Sequence, residues 1–128
     1  MTIIPPSFEP QLRSVLRVIA GFTFSLHGYQ KLFGLFGGPQ VGLGSMIGLA
    51  SVLETIGGGL IILGLFTRPA AFLLSGQMAV AYFMVHFPMS FWPIVNGGEI
   101  TVLYCFIFLW LSAAGAGSWS LDHMLGRK

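Results

Sequence analysis

Five ionisable residues stand inside or at the ends of otherwise apolar stretches of this chain: His27, Lys31, Glu54, His86 and Glu99. Imidazoles and carboxylates can exchange protons, and a lysine ammonium can donate hydrogen bonds to an oxygen or neutralise a carboxylate. Because only 8% of the 128 residues are charged, ionisable groups within apolar sequence are the first candidates for function.

The composition predicts that membrane-spanning helices position these residues. Hydrophobic residues make up 55% of the chain, and apolar runs close to the roughly 20 residues that span a bilayer lie at 18–36, 45–66, 69–87 and 100–117. We therefore predict one all-α membrane domain over residues 1–128, folded as a four-helix bundle. Its helices are predicted at about 12–36, 45–66, 69–87 and 99–117, followed by a short cytoplasmic or interfacial helix at about 119–126.

Basic residues predict the orientation of this bundle. If the helices alternate in direction, every basic residue except Lys31 falls on one side of the membrane. These residues are Arg13, Arg17, Arg68, Arg127 and Lys128. Since basic loops favour the cytoplasm, both termini are predicted to be cytoplasmic, in a bacterial inner membrane. No basic stretch with interleaved aromatic residues indicates nucleic-acid binding.

The rise of a helix predicts which ionisable residues share a depth. Lys31 lies roughly 21 Å beyond Arg17, and Glu54 lies roughly 21 Å from Arg68, at about 1.5 Å per residue. Lys31 and Glu54 are therefore expected to meet on facing helices. Small residues near Glu54, including Gly57, indicate a face that packs closely against another helix.

The other three residues are expected near the same group. His86 and Glu99 are predicted to share a level closer to the outer surface, and His27 lies one turn from Lys31 on the same helix face. A purely structural interpretation is equally open for both pairs, because paired charges can hold helices in register without chemistry. Glu99 is also favoured at the start of its helix by the helix dipole.

Two other kinds of chemistry are not favoured by the sequence. A metal site built from the two histidines and two glutamates would lack the Glu-x-x-His spacing of carboxylate sites in helical bundles, and Lys31 would repel a cation. Cys105 is the chain's one cysteine, so no C-x-x-C motif or intrachain disulfide can carry electrons. We predict no metal site, and we interpret Cys105 as a small buried residue.

Three groups of residues, in this order and spacing, resemble the DoxX family of small bacterial membrane proteins. The first group is Arg17, His27-Gly28 and Lys31-Leu32; the second is Glu54, Gly57-Gly58 and Leu63-Gly64-Leu65-Phe66-Thr67-Arg68; the third is Gly98-Glu99, Gly115-Ala116-Gly117 and Ser120-Leu121-Asp122. The resemblance runs across nearly the whole chain. It implies a four-helix membrane protein, in a family whose members are associated with quinone-linked sulfur oxidation or with redox-stress and detoxification complexes.

With that resemblance, the ionisable residues favour a membrane subunit of a redox-linked complex. Lys31 or His27 would hydrogen-bond a quinone carbonyl, and Glu54 or Glu99 would exchange protons. Any enzymatic role would be that of a component of a quinone-linked oxidoreductase. The alternative is an anchoring subunit without chemistry of its own; solute transport is disfavoured because the chain has no internal repeat. The expected partners are the bilayer and other proteins of a membrane complex, and self-association stays open.

Overall fold

The computed structural model describes residues 1–127, and every regular element in that part of the chain is helical. The elements are Glu9–Phe33 (α1), Met46–Leu63 (α2), Thr67–Ala81 (α3), Pro93–Asn96 (α4), Glu99–Ala114 (α5) and Leu121–Met124 (α6), with 3-10 turns at Pro6–Phe8 and Leu35–Gly37. A π-helical turn, Tyr82–His86, continues α3. The all-α prediction is confirmed, whereas Lys128, which entered the orientation argument, lies outside the described residues.

The helix ends differ from the predicted ones. Helices α1, α2 and α5 end at residues 33, 63 and 114 rather than at 36, 66 and 117. At these ends Gly34, Gly64 and Gly115 adopt positive φ angles of 66°, 67° and 87°, which glycine tolerates and which stop a right-handed helix. Helix α1 begins at residue 9 rather than 12, and α6 is one turn rather than the predicted 119–126.

Within residues 1–127, two helical segments are long and apolar enough to cross a membrane, Met46–Leu63 and Thr67–His86. Helix α5 is apolar but only 16 residues long, and α1 carries Arg17 and Lys31 within its length. In residues 1–127, length and composition therefore support two of the four predicted spans.

The four long helices form two pairs around one core. Helix α1 packs along α2, α3 packs along α5, and the contact between α2 and α3 joins the pairs, whereas α1 and α5 touch only locally. Phe24 of α1 contacts two rings of α5 edge-on, Tyr104 at 5.3 Å and Phe108 at 5.0 Å between centroids. This aromatic contact closes one part of the seam between the pairs.

Small residues allow α1 and α2 to approach closely. A Cβ atom added at Gly28 would lie 2.8 Å from the backbone N of Thr55 and 2.9 Å from the carbonyl O of Ser51. A Cβ atom at Gly58 would lie 2.7 Å from Cβ of Ser25. Since only glycine fits such contacts, these residues fix the register of α1 against α2, as small residues do between membrane helices.

Arg17 and Arg68 hold the end of the bundle at which α2 meets α3, which we call the arginine end. Arg17 is only 1% exposed, and its guanidinium donates to the carbonyl oxygens of Ala116 at 2.7 Å and Trp119 at 2.8 Å. Arg68 donates to carbonyls in the last turn of α5. Arg68 therefore satisfies carbonyl groups that the end of α5 leaves without helical partners, and Arg17 satisfies carbonyl groups of the segment that follows α5.

Asp122 ties the C-terminal segment to the same end. Its two carboxylate oxygens accept from the backbone N–H groups of Phe66 and Thr67, both at 2.9 Å. Ser120 caps α6 by accepting from the backbone N–H of His123 at 3.1 Å. Asp122 therefore caps α3 from another helix, where an anion is favoured by the helix dipole.

Candidate functional site

A cavity of about 420 Å³ lies between α1, α3 and α5, with α2 contributing one wall residue. We call it the polar cavity. Its polar lining consists of His27, Lys31, Glu54, His86, Thr101 and Tyr104. The structure therefore brings four of the five residues singled out from the sequence to one space, on the seam between the two helix pairs.

Lys31 and Glu54 form an ion pair across the α1–α2 contact. The Nζ atom of Lys31 lies 3.1 and 3.2 Å from the two carboxylate oxygens of Glu54, so the predicted meeting of these residues is confirmed. The approach of the helices at Gly28, one turn before Lys31, positions the pair. The Glu54 side chain is 5% exposed and that of Lys31 is 32% exposed, so the lysine is the partner with room to move.

Gln77 of α3, which is not among the residues predicted from the sequence, joins this pair. Its Nε2 donates to Oε1 of Glu54 and to the carbonyl O of Ala50, both at 3.3 Å. Its Oε1 is buried without a hydrogen-bond partner among the described residues. The available signal was an amide side chain within the apolar sequence of α3, but an uncharged residue was not considered. The polar group therefore links α1, α2 and α3.

His27 is open to the polar cavity and is held by a ring contact alone. Its imidazole stands edge-on to the Tyr104 ring, with centroids 6.5 Å apart, and it makes no hydrogen bond to another residue in the described range 1–127. Tyr104 donates from its hydroxyl to Oγ1 of Thr23 at 2.7 Å, which fixes the ring beside the imidazole. Both nitrogens of His27 are thus available to a bound molecule.

His86 is oriented at the end of the π-helical turn. This turn is closed by the backbone N–H of Phe87, which donates to the carbonyl O of Tyr82 at 2.8 Å. The Nδ1 atom of His86 lies 3.2 Å from the carbonyl O of Asn96, and its Nε2 atom lies 3.3 Å from Oγ1 of Thr101. Such π turns occur often at functional sites, and here one fixes an imidazole at the cavity wall.

Glu99 is not part of this group. It lies exposed in the first turn of α5 and forms no ion pair with His86 among residues 1–127, where Thr101 takes that position instead. Two residues along a helix correspond to a rotation of about 200°, so Glu99 and Thr101 point in opposite directions. The expected pairing of His86 with Glu99 is therefore wrong.

The arrangement offers hydrogen-bond donors and proton carriers without a metal-binding set. No group of three or more His, Cys, Asp or Glu side chains that could hold a metal ion occurs in the described part of the chain. Cys105 is partly buried, and its Sγ lies 3.6 Å from Oγ of Ser75. What the polar cavity can supply is a cation at Lys31, a carboxylate at Glu54 and two imidazoles.

Comparison with known proteins gives the same family as the sequence motifs. The DoxX family model matches residues 12–87, a range that contains four of the cavity's polar residues. A protein of Haemophilus influenzae described as an uncharacterized protein is 40% identical over 128 residues, an alignment that covers 94% of this chain and 96% of that relative. No solved structure matches the chain significantly. The extent of the family match, on a helical fold with two apolar helices of membrane-spanning length, establishes that the chain belongs to the DoxX family of membrane proteins.

Proposed function

We propose that this DoxX protein is a membrane subunit of a redox-linked complex, and that its polar cavity binds the head group of a quinone. The observation that carries the proposal is the convergence of His27, Lys31, Glu54 and His86 on one cavity of about 420 Å³. Ligand sites commonly have volumes of about 300–1,000 Å³, apolar walls and a few convergent polar groups. Placing an ionisable residue within an apolar membrane helix costs free energy, and a residue kept at that cost is a candidate for function.

In this proposal the chain is a multi-pass protein of the inner membrane with cytoplasmic termini. Arg13, Arg17 and Arg68 all lie at or near the arginine end, which we assign to the cytoplasmic side by the positive-inside tendency. Helices α1 and α5 then cross the bilayer beside α2 and α3, completing a four-helix bundle. The polar cavity lies away from the arginine end, in the outer half of the bundle.

The donor set suits a molecule with two carbonyl oxygens on an apolar ring. A quinone, when bound, supplies two-electron and two-proton chemistry, with the electrons coming from a dehydrogenase partner in the complex. Lys31 would donate a hydrogen bond to one carbonyl oxygen, while its ion pair with the buried Glu54 carboxylate holds the ammonium beside the cavity. His27 would donate to the other oxygen and relay the protons, because its imidazole lines the cavity and makes no hydrogen bond to another residue in the range 1–127.

The experiment is to purify the protein gently and to quantify the quinone that accompanies it. Wild-type protein should carry quinone well above the amount expected from co-purified lipid. His27→Phe should lower the retained quinone roughly fivefold, since one lost hydrogen bond contributes about 1 kcal/mol. His123→Phe is the matched control, because His123 is exposed on α6 and remote from the polar cavity. Wild-type protein without enriched quinone would contradict the proposal.

An anchoring subunit without chemistry is the second candidate, and one observation favours it. Lys31, Glu54 and Gln77 form a connected group that links three helices without any ligand, as a purely structural group would. Under this alternative, His27→Phe and His123→Phe would leave the same quinone content. The activity of the parent complex would then depend only on the amount of assembled protein.

A further inference from the structure

A second space of about 400 Å³ lies between α2 and α3 and shares the Lys31–Glu54 pair with the polar cavity as lining. We call it the apolar cleft. Its lining is largely made of long apolar side chains, among them Met46, Leu49, Leu53, Leu73, Val80 and Met84. Several of them are more than half exposed, so the cleft opens sideways, toward lipid in the proposed membrane arrangement.

The polar cavity and the apolar cleft share one dividing wall. Lys31, Glu54, Ala81 and Val85 line both spaces. One part of the wall is the ion pair, in which the Lys31 side chain is partly exposed and the Glu54 side chain is buried. Another part is Ala81, whose side chain is a single methyl group. Lys31, the more exposed partner of the ion pair, and the small Ala81 therefore both border the two spaces.

Polarity changes sharply across this wall. The polar cavity presents two imidazoles, a hydroxyl of Thr101 and the Lys31 ammonium. Among residues 1–127, the polar side chains that line the apolar cleft are those of the Lys31, Glu54 and Gln77 group at the wall itself. A molecule that fills both spaces must therefore have a hydrogen-bonding head and a long apolar chain. A compact polar solute would fill the polar cavity alone and leave the cleft to lipid.

We propose that the apolar cleft holds the chain of the same molecule whose head group occupies the polar cavity, an isoprenoid or alkyl chain attached to a quinone ring. This inference rests on the proposed function. The chain crosses the wall between Lys31 and Ala81 and leaves the bundle sideways between α2 and α3. The molecule can then exchange with the membrane without the helix pairs separating, since several residues that line the cleft are more than half exposed.

The structure offers a competing route, which makes the inference testable. Helices α1 and α5 touch only locally, and Ile100 of α5 lines the polar cavity while being 57% exposed. A chain could leave the cavity there without entering the cleft. The cleft is favoured because its apolar lining continues beyond the wall for about two helical turns, from Met46 to Leu53 on α2.

The test is photolabelling in nanodiscs with a benzoquinone that carries a ten-carbon chain ending in a diazirine. Labelled positions are mapped by mass spectrometry, with and without an excess of the same quinone lacking its chain. We expect labels on Leu49, Leu53, Val80 or Met84, suppressed by the chainless competitor. Suppression shows that the labelled chain belongs to a molecule held by its head group.

Two tryptophan variants on α2 provide a matched comparison. Leu49 and Ile56 are 60% and 61% exposed, but only Leu49 lines the apolar cleft. Leu49→Trp should reduce cleft labelling at least about fivefold, the effect of overpacking by roughly 1 kcal/mol, whereas Ile56→Trp should leave it unchanged. Val80→Trp, on the facing wall, replaces Leu49→Trp if that variant does not fold.

The outcomes separate this inference from the proposed function. Competitor-sensitive labels near Ile100 of α5, with an unlabelled cleft, would overturn the inference and leave quinone binding standing. Cleft labels that the chainless quinone does not suppress would also overturn it, because the cleft would then hold apolar chains regardless of their head group. If no competitor-sensitive label forms anywhere, and the chainless quinone does not bind the wild-type protein, the proposed function is wrong. The inference that rests on it is then wrong as well.

Discussion

Removing either partner of the Lys31–Glu54 pair should destabilise the protein, and removing the lysine should destabilise it more. Glu54 is 5% exposed whereas Lys31 is 32% exposed. Lys31→Met therefore leaves a buried carboxylate without its cation, a change that typically costs about 3–5 kcal/mol. Glu54→Gln leaves an ammonium that can turn into the polar cavity, and it keeps an oxygen that can accept from Gln77, so we expect a smaller loss of about 1–3 kcal/mol.

The assay is the free energy of unfolding in bicelles, measured for both single variants and for the double variant. Because the double variant contains no uncompensated charge, it should recover much of the loss, with a coupling energy of about 1–3 kcal/mol. Losses that add to within about 0.5 kcal/mol would show that the two residues do not act as a pair. A larger loss for Glu54→Gln than for Lys31→Met would refute the reasoning from burial.

Three further predictions address the contacts that position the site and the orientation of the chain. Gly28→Val should separate α1 from α2 at Thr55 and lower stability by about 1–3 kcal/mol through overpacking, as bicelle unfolding can measure; a variant as stable as wild type would contradict the close approach. Asp122→Ala should remove the cap from two backbone N–H groups of α3 and cost about 1–2 kcal/mol, whereas an unchanged free energy of unfolding would show that water replaces the cap. A topology reporter fused after Lys128 should read cytoplasmic and one inserted near Gly38 should read periplasmic; if both read the same side, α1 does not span.

The sequence was sufficient to predict contacts that depend on charged residues and on the regular geometry of a helix. Lys31 and Glu54 were predicted to meet from helical rise alone, and they do so at 3.1 Å. The small residues near Glu54 also indicated a close helix contact, and the structure has such contacts at Gly28 and Gly58. These features depend on regular helical geometry and on the cost of placing charges in lipid, both of which are encoded locally.

Features that depend on local irregularity or on distant contacts could not be predicted in the same way. The π turn before Phe87 changes the direction of His86, and helical rise gives a depth without a direction, so Glu99 was wrongly paired with this imidazole. Gln77 was missed because an uncharged amide gives a weak signal in an apolar helix. The capping of α3 by Asp122 joins residues 55 and 56 positions apart, a relation that no local pattern reveals.

The most direct measurement of the central claim is quinone-dependent electron transfer in native membranes, normalised to the amount of assembled protein. His27→Phe supplies an apolar ring of similar bulk but removes both nitrogens of an imidazole that lines the polar cavity. The account predicts that this variant assembles normally and loses electron transfer by about 10²-fold or more, the usual contribution of a positioned proton-transfer group, while His123→Phe keeps full activity. Full electron transfer in normally assembled His27→Phe protein would contradict the role of the polar cavity in quinone chemistry.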